Sequence, residues 1–166
     1  LGPRINAGGR VGKCSHGANL LLNKDPMNSF KLASELDQYN KERQLLEKDL
    51  LQKILNERKN YSTDPVLILS GSNWHEGIIG IVAARLKDKF NKPVIIISID
   101  GNLGKASARS IVGFDIGSVI IAATQENILL KGGGHKMAGG FSIKIENIDK
   151  FRKFIFRKFK NINQDL

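Results

Sequence analysis

The run LKGGGHKMAGGF at residues 130–141 has the residue types that bind a phosphate. Three consecutive glycines allow positive φ angles, and successive N–H groups in such a turn form an anion-binding concavity. His135 and Lys136 add side-chain donors directly after it. Gly132, Gly133, Gly134 and His135 are therefore candidate phosphate-binding residues. The alternative is a plain glycine-rich turn with a solvated histidine.

A second candidate pair lies upstream, in a segment predicted as a strand over 105–111. Ser107 and Arg109 are two residues apart, so on a strand their side chains point to the same face. A guanidinium offers a bidentate fork to a phosphate, and a neighbouring hydroxyl adds a third hydrogen bond. The competing interpretation is an exposed strand face with an incidental arginine.

The stretch Trp74-His75-Glu76-Gly77 joins a predicted strand to a predicted helix, a place where ligands meet helix N-termini. Trp74 either stacks on a base or covers the core, and the second is favoured. His75 is a candidate phosphate-binding residue, and one His-Glu pair falls short of a metal site. Glu76 fits a cap or a charge near the helix N-terminus.

Other catalytic patterns are missing from the sequence. It has no dense group of Asp and His for catalytic metals, no GxSxG, no GK[ST] phosphate loop and no zinc spacing. We therefore predict no metal ligands here and a chain that binds, with any reactive centre located elsewhere.

The elements that must position these residues form two groups. Between about Asn28 and Asn60 there is no Pro or Gly, and apolar residues recur every three or four positions apart from Arg43. The segment 25–60 is predicted as one neutral helix of about 30 residues, either a connector, which we prefer, or a coiled-coil seam.

Residues 61–166 alternate short apolar strands with helices, which predicts an α/β fold with a mixed sheet and flanking helices. The predicted strands are 66–69, 94–99, 105–111 and 141–145, and the predicted helices are 78–90, 116–130 and one from about residue 148. In that last helix an aromatic stripe favours core packing over base stacking. Its lysines and arginines fit solvation, with phosphate contacts as the minority interpretation.

Composition narrows the class of partner. The net charge is +10, and the basic residues collect at the two ends of the chain, as expected for a polyanion partner or for a lysine-rich proteome. No apolar run is long enough to span a bilayer, so we expect no membrane partner. The single cysteine, Cys14, fits a reducing cytoplasm and is interpreted as a small buried or neutral residue.

Four segments together resemble the RecJ family of single-stranded-DNA exonucleases, within the DHH phosphoesterases. LGPRINAGGR at 1–10 resembles the family segment LGPRINAAGR, and WHEGIIG at 74–80 its WHxGIIG turn. KASARSI at 105–111 is similar to KGSGRSI with two alanines for glycines, and GGHKMAGG at 133–140 is similar to GGHKMAAG. The resemblance covers nearly the whole chain.

The resemblance implies a domain assignment. Residues 1–24 would be the end of an upstream DHH catalytic domain, 25–60 the connector helix, and 61–166 the DHH-associated substrate-binding domain. The first residue is Leu1 rather than methionine, and we expect a fragment whose metal-binding residues lie in the missing upstream domain.

The resemblance also implies an activity: 5′→3′ degradation of single-stranded DNA with Mn²⁺ or Mg²⁺ in repair and recombination. Ser107 and Arg109 would hold the 5′-phosphate, and the Gly132–His135 loop would face the scissile phosphate. His135 would stabilise the developing charge, and Arg4, Asn6 and Arg10 would line the DNA path. Two alternatives stay open: a non-catalytic nucleic-acid-binding module, and a phosphodiesterase for small nucleotides.

Overall fold

A single long helix occupies the neutral segment, as its apolar periodicity predicts. The computed structural model describes residues 1–57 and 63–164, without the side chains of 161–164. Helix α4 spans Pro26–Glu57, and it follows three short helices, α1 (Gly2–Ile5), α2 (Gly8–Val11) and α3 (Ser15–Leu22). The last predicted residues of the helix, 58–60, lie outside the described part. Contacts divide the chain into two units, Leu1–Ile54 and Leu55–Leu166.

The first unit packs its short helices on α4 through small residues. A Cβ at Gly8 would lie 2.6 Å from the carbonyl oxygen of Lys13 and 3.3 Å from Leu36, which is itself buried. Arg43, which interrupts the apolar stripe of α4, donates to Glu47 at 2.7 Å and to Asn40 at 3.2 Å. Arg43 thus forms a buried polar layer with Asn40 and Glu47. Cys14 is exposed, so of its two interpretations, a small buried residue or a neutral one, the buried alternative is wrong.

The second unit is the expected mixed sheet with flanking helices. Its strands are β1 (Leu67–Ser72), β2 (Val94–Asp100), β3 (Leu103–Arg109), β4 (Lys131–His135) and β5 (Ala138–Lys144), in the order β1-β2-β3-β5-β4. Among the strands of the described residues, β1 and β2 alone pair in parallel. The helices are α5 (Glu76–Phe90), α6 (Ile116–Gln125) and α7 (Ile148–Gln164), with a 3₁₀ turn at Ile145–Asn147.

The two faces of the sheet are covered unequally. Side chains of α6 and α7 form one core with Ile95 and Ile97 of β2 and with Phe141 of β5. On the other face α5 packs over β2 and β3, and its Val82 and Leu86 are buried there. None of the helices in the described residues is long and apolar enough to cross a membrane.

Two predictions about the glycine-rich region are wrong. Residues 131–135 form an edge strand rather than a turn, and the chain reverses at 136–137. The positive-φ glycines of the described residues are Gly101 and Gly113, so the triple glycine makes no concavity of left-handed residues.

The predicted end of helix α6 is also wrong. The helix ends at Gln125 instead of residue 130, because Asn127 turns the chain with a φ of 54°.

The N-terminus of α6 has a cap that titrates. The Asp115 carboxylate accepts a hydrogen bond from the Ser118 N–H at 3.0 Å, and this bond holds the pKa of Asp115 below its usual value. Because the folded-state pKa is the lower one, the stabilisation is complete above the unfolded-state pKa and is lost as pH falls through the folded-state pKa.

We therefore expect Asp115→Ala to lower the melting temperature at neutral pH, with a difference that shrinks below about pH 4. Melting curves of the variant and the parent chain from neutral to acidic pH measure this. Asp115→Asn is the control, because it keeps a capping oxygen that does not titrate. An equal difference at pH 7 and at acidic pH would contradict the assignment.

Candidate nucleic-acid interface

Strand register brings the two predicted phosphate-binding groups onto one face of the sheet. Arg109 of β3 is opposite Ala138 of β5, which is opposite His135 of β4. Residues directly opposite each other on neighbouring strands project to the same face. Arg109 and His135 therefore lie on the same face, two strand spacings or about 10 Å apart.

The next row of the same face holds Ser107, Gly140 and Gly133. Helix α5 lies over the β3 side of this row, since a Cβ at Gly80 would be 2.9 Å from the Ser107 hydroxyl and 3.1 Å from the Arg109 guanidinium. Beyond β3 the face opens into a cleft of about 550 Å³ that Ser107, Gly133 and Gly140 line.

Ser107 and Arg109 are positioned together, as their spacing predicts. Arg109 Nη1 donates to Ser107 Oγ at 3.2 Å and to the Ala108 carbonyl oxygen at 2.8 Å. Both bonds hold the half-buried guanidinium beside the Ser107 hydroxyl, and Ser107 lines the cleft. An anion placed there meets a fixed charge and a hydroxyl without ordering a free side chain first.

The glycines of β4 and β5 fall into two classes. A Cβ at Gly132 would lie 2.6 Å from Ile120, one at Gly134 would lie 2.5 Å from Gly139 Cα, and one at Gly139 would lie 2.5 Å from Ile120. These three are glycine because the fold has no room for a side chain.

Gly133 and Gly140 are different. A Cβ at Gly133 would meet no atom within 4 Å, and one at Gly140 only the Ala106 carbonyl oxygen at 3.4 Å. Neither packing nor backbone conformation requires glycine at these two positions. Their lack of side chains keeps the floor of the cleft open, so that a bound group can approach the backbone.

His135 and His75 share one hydrogen-bonding pattern. His135 Nδ1 accepts from the Met137 N–H at 3.4 Å, and His75 Nδ1 accepts from the Gly77 N–H at 3.1 Å. Each neutral ring then carries its hydrogen on Nε2, as a donor. His75 is the N-cap of α5. Glu76 is in the first turn, so its predicted place near the helix N-terminus is confirmed.

Sequence reasoning missed two lysines and a serine of the cleft. Lys105, Ser142 and Lys131 form the row after Ser107, on the same face, and all three line the cleft. Lys105 donates to Glu76 at 2.8 Å, and this bond raises the pKa of Lys105. The two-residue alternation that paired Ser107 with Arg109 could have identified Lys105.

The three N-terminal candidates belong to the other unit. Arg4 donates to Asp37 of α4 at 2.6 Å, and together with Lys41 it holds the pKa of Asp37 below its usual value. Asn6 and Arg10 are exposed. Their predicted roles along a DNA path stay predictions.

Trp74 is only 9% exposed, and a Cβ at Gly71 would lie against its ring. Its carbonyl oxygen accepts from Ser98 Oγ at 2.5 Å. These contacts favour the core-covering interpretation of Trp74 over base stacking.

The described residues do not fit a catalytic divalent metal. Within 1–57 and 63–164, no three His, Cys, Asp or Glu side chains come together as ligands. The carboxylates near the cleft are engaged otherwise, with Glu76 bonded to Lys105. The cleft is thus lined by lysines and hydroxyls that suit an anion, and the Arg109 guanidinium and the His135 imidazole lie on the same face of the sheet.

Comparison with known protein families decides the family. The model of the DHHA1 domain matches residues 48–161, which is more than half of the sequence. The chain belongs to the DHHA1 domain family. The matched range includes the whole sheet and all the residues that line the cleft.

The resemblance to RecJ is also confirmed. The chain is 35% identical over 155 residues to the single-stranded-DNA-specific exonuclease RecJ of Bacillus subtilis, covering 92% of this chain and 20% of that protein. It is 37% identical over 163 residues to RecJ of Escherichia coli, covering 93% and 28%.

A solved structure agrees with these sequences. The structure of Thermus thermophilus RecJ in complex with Mn²⁺ matches with a TM-score of 0.85 and 30% identity, over 96% of this chain and 23% of that one. The chain thus spans between a fifth and three tenths of the length of these relatives.

Proposed function

We propose that this chain is the substrate-binding part of a nuclease that degrades single-stranded DNA from its 5′ end, in repair and recombination. The observation that carries the proposal is the placement of Ser107 and Arg109 on the same open face as His135. Its similarity to RecJ exonucleases over more than nine tenths of the chain supports the substrate class. The predicted cytoplasmic location belongs to the same proposal.

In this proposal the terminal phosphate binds at the β3 side of the cleft. Arg109 supplies the charge, and the Ser107 hydroxyl adds a hydrogen bond to a third oxygen. The bonds that Arg109 makes to Ser107 and to the Ala108 carbonyl set the direction of the guanidinium. Such a site prefers a phosphorylated 5′ end to a hydroxyl end.

His135 would act on the next phosphate along the strand. With Nδ1 held by the Met137 N–H, the Nε2–H is the atom that can donate to a phosphoryl oxygen. A donor already aimed at an oxygen that gains charge lowers the barrier without reorganising. The open floor at Gly133 and Gly140 gives the strand room to pass between Arg109 and His135.

A divalent metal, Mn²⁺ or Mg²⁺, would be held outside the described residues, in the upstream DHH domain that the resemblance implies. The described residues of this chain do not fit one. Arg4, Asn6 and Arg10 would belong to the same DNA path. Under this proposal the chain binds DNA and does not cleave it by itself.

We expect the isolated chain to bind 5′-phosphorylated single-stranded DNA and to leave it intact with Mn²⁺. The reason is that it has an anion site and no ligand set for the metal. Fluorescence anisotropy measures binding of matched 5′-phosphate and 5′-hydroxyl oligonucleotides, and a denaturing gel measures cleavage.

Cleavage by a rigorously purified chain would contradict the assignment of the reactive centre to another domain. Equal affinity for the two ends would contradict the 5′-phosphate site. Tighter binding of dinucleotides than of single-stranded DNA would favour the small-nucleotide phosphodiesterase. Binding that ignores the cleft residues would favour a non-catalytic module.

A further inference from the structure

Helix α7 carries a cluster of cations that the cleft does not use. Lys150, Lys153 and Arg157 are three and four residues apart, so they lie on one side of the helix. Lys158 is next to them. We call these four residues the α7 cationic face. The helix packs on the face of the sheet opposite the cleft, where Phe151 and Phe154 join the core with Ile97.

The cations of this face outnumber the carboxylates beside them, since Glu126 is the one acidic residue among those described that line the groove there. Among the residues that the structure describes, none of the four makes an ion pair with a carboxylate. Like charges three and four residues apart on a helix destabilise it. The arrangement therefore costs stability unless an anion outside the chain offsets it.

A shallow groove runs along the same face. Its volume is about 400 Å³, and three cations, Lys150, Lys153 and Arg157, line it together with Phe154, Ile128 and one carboxylate, Glu126. The Arg157 guanidinium lies 5.7 Å from the centre of the Phe154 ring, and the Lys158 ammonium 5.4 Å. Phe154 packs against these cations, and because it is only 3% exposed it offers little apolar surface to a partner.

We propose that the α7 cationic face binds the phosphate backbone of single-stranded DNA, at a point remote from the 5′ end. Protein interfaces centre on exposed aromatic and apolar side chains, and within residues 148–160 the large apolar side chains are buried or half-buried. A surface of cations without apolar anchors fits a backbone of repeated phosphates.

This surface extends the proposed function rather than restating it. The cleft holds the leading end of the strand on one side of the sheet, and the α7 cationic face contacts a later portion on the other side. A strand must therefore be long enough to pass around the domain before the second contact forms. Short oligonucleotides occupy the cleft alone.

The test neutralises two charges of the face and varies the length of the DNA. The variant is Lys153→Gln with Arg157→Gln, and the probes are 5′-phosphorylated oligothymidylates of about 4 and about 16 nucleotides. The control variant, Lys87→Gln with Lys89→Gln, removes the same charge from α5, which packs on the other face of the sheet. Anisotropy titrations at several NaCl concentrations give the affinities.

We expect the α7 variant to bind the long probe about tenfold more weakly, with a salt slope reduced by about 1.4, and to bind the short probe unchanged. Its melting temperature should be equal or higher, because repulsion on the helix is relieved. The control variant should bind both probes like the parent chain.

Three outcomes would overturn the inference: an unchanged affinity for the long probe, an equal loss for the short probe, or the same loss in the control. If the double variant fails to fold, Lys153→Gln alone is measured. Because it removes one charge instead of two, we expect half the change in the salt slope. A loss of 5′-phosphate preference in Arg109→Ala is independent of all three, so the two proposals can fail separately.

Discussion

Replacing Arg109 by alanine should weaken binding of 5′-phosphorylated single-stranded DNA by about 30-fold and leave binding of 5′-hydroxyl DNA nearly unchanged. Hydrogen bonds to charged groups contribute about 1.5–3 kcal/mol, and the guanidinium supplies both the charge and the fork at this end of the cleft. The two affinities, measured side by side by anisotropy, give the preference as a ratio.

Two further variants make this result specific. Arg109→Lys keeps the charge without the planar fork, so we expect an intermediate preference. Arg85→Ala removes a guanidinium from exposed α5 surface outside the cleft lining and should keep the full preference. A preference that survives in Arg109→Ala would remove this residue from the 5′-phosphate site.

Gly133→Val should separate binding from stability. A Cβ at position 133 meets nothing within 4 Å, and valine favours a strand, so the free energy of unfolding should stay constant or rise by up to about 1 kcal/mol. The new side chain stands on the floor of the cleft. We expect the affinity for single-stranded DNA to fall by more than about tenfold.

The neighbouring glycine is the matched control. A Cβ at position 134 would lie 2.5 Å from Gly139 Cα and against the Ala138 carbonyl oxygen, which are backbone atoms that cannot move cheaply. Gly134→Ala should therefore destabilise the fold by about 2 kcal/mol or more. Urea unfolding of both variants checks this, and a Gly133→Val chain that binds DNA like the parent would contradict an occupied cleft floor.

Local patterns were enough to predict most of the second unit. Helix α5 and strand β2 have continuous apolar periodicity, and their predicted bounds differ from the observed ones by at most two residues. The pairing of Ser107 with Arg109 also follows from local geometry, because residues two apart on a strand share a face.

Strand β4 could not be predicted in this way. Three of its five residues are glycine, a composition typical of turns, and it has no β-branched residue. It forms a strand because β5 supplies its hydrogen-bonding partners and because Ile120 of α6 fills the space that side chains would need. Such reasons are tertiary and do not show in a sequence window.

The same limit applied to α6 and to the cleft. Ile128 and Leu129 continue the apolar pattern of α6, yet both lie in the turn after the helix and pack into the core from there. The convergence of Arg109 with His135 depends on strand register across β3, β5 and β4, which no local motif specifies. Sequence motifs named the two groups, and the sheet order put them on one surface.

The buried polar layer of α4 restricts how this chain can diverge. Arg43 and Glu47 are 11% and 4% exposed and lie 2.7 Å apart. Replacing only one of the two residues leaves the other as a buried charge without its partner. Two apolar replacements together fill the same space without that penalty. Positions 43 and 47 should therefore covary among relatives, as an ion pair or as two hydrocarbons, with mixed combinations rare.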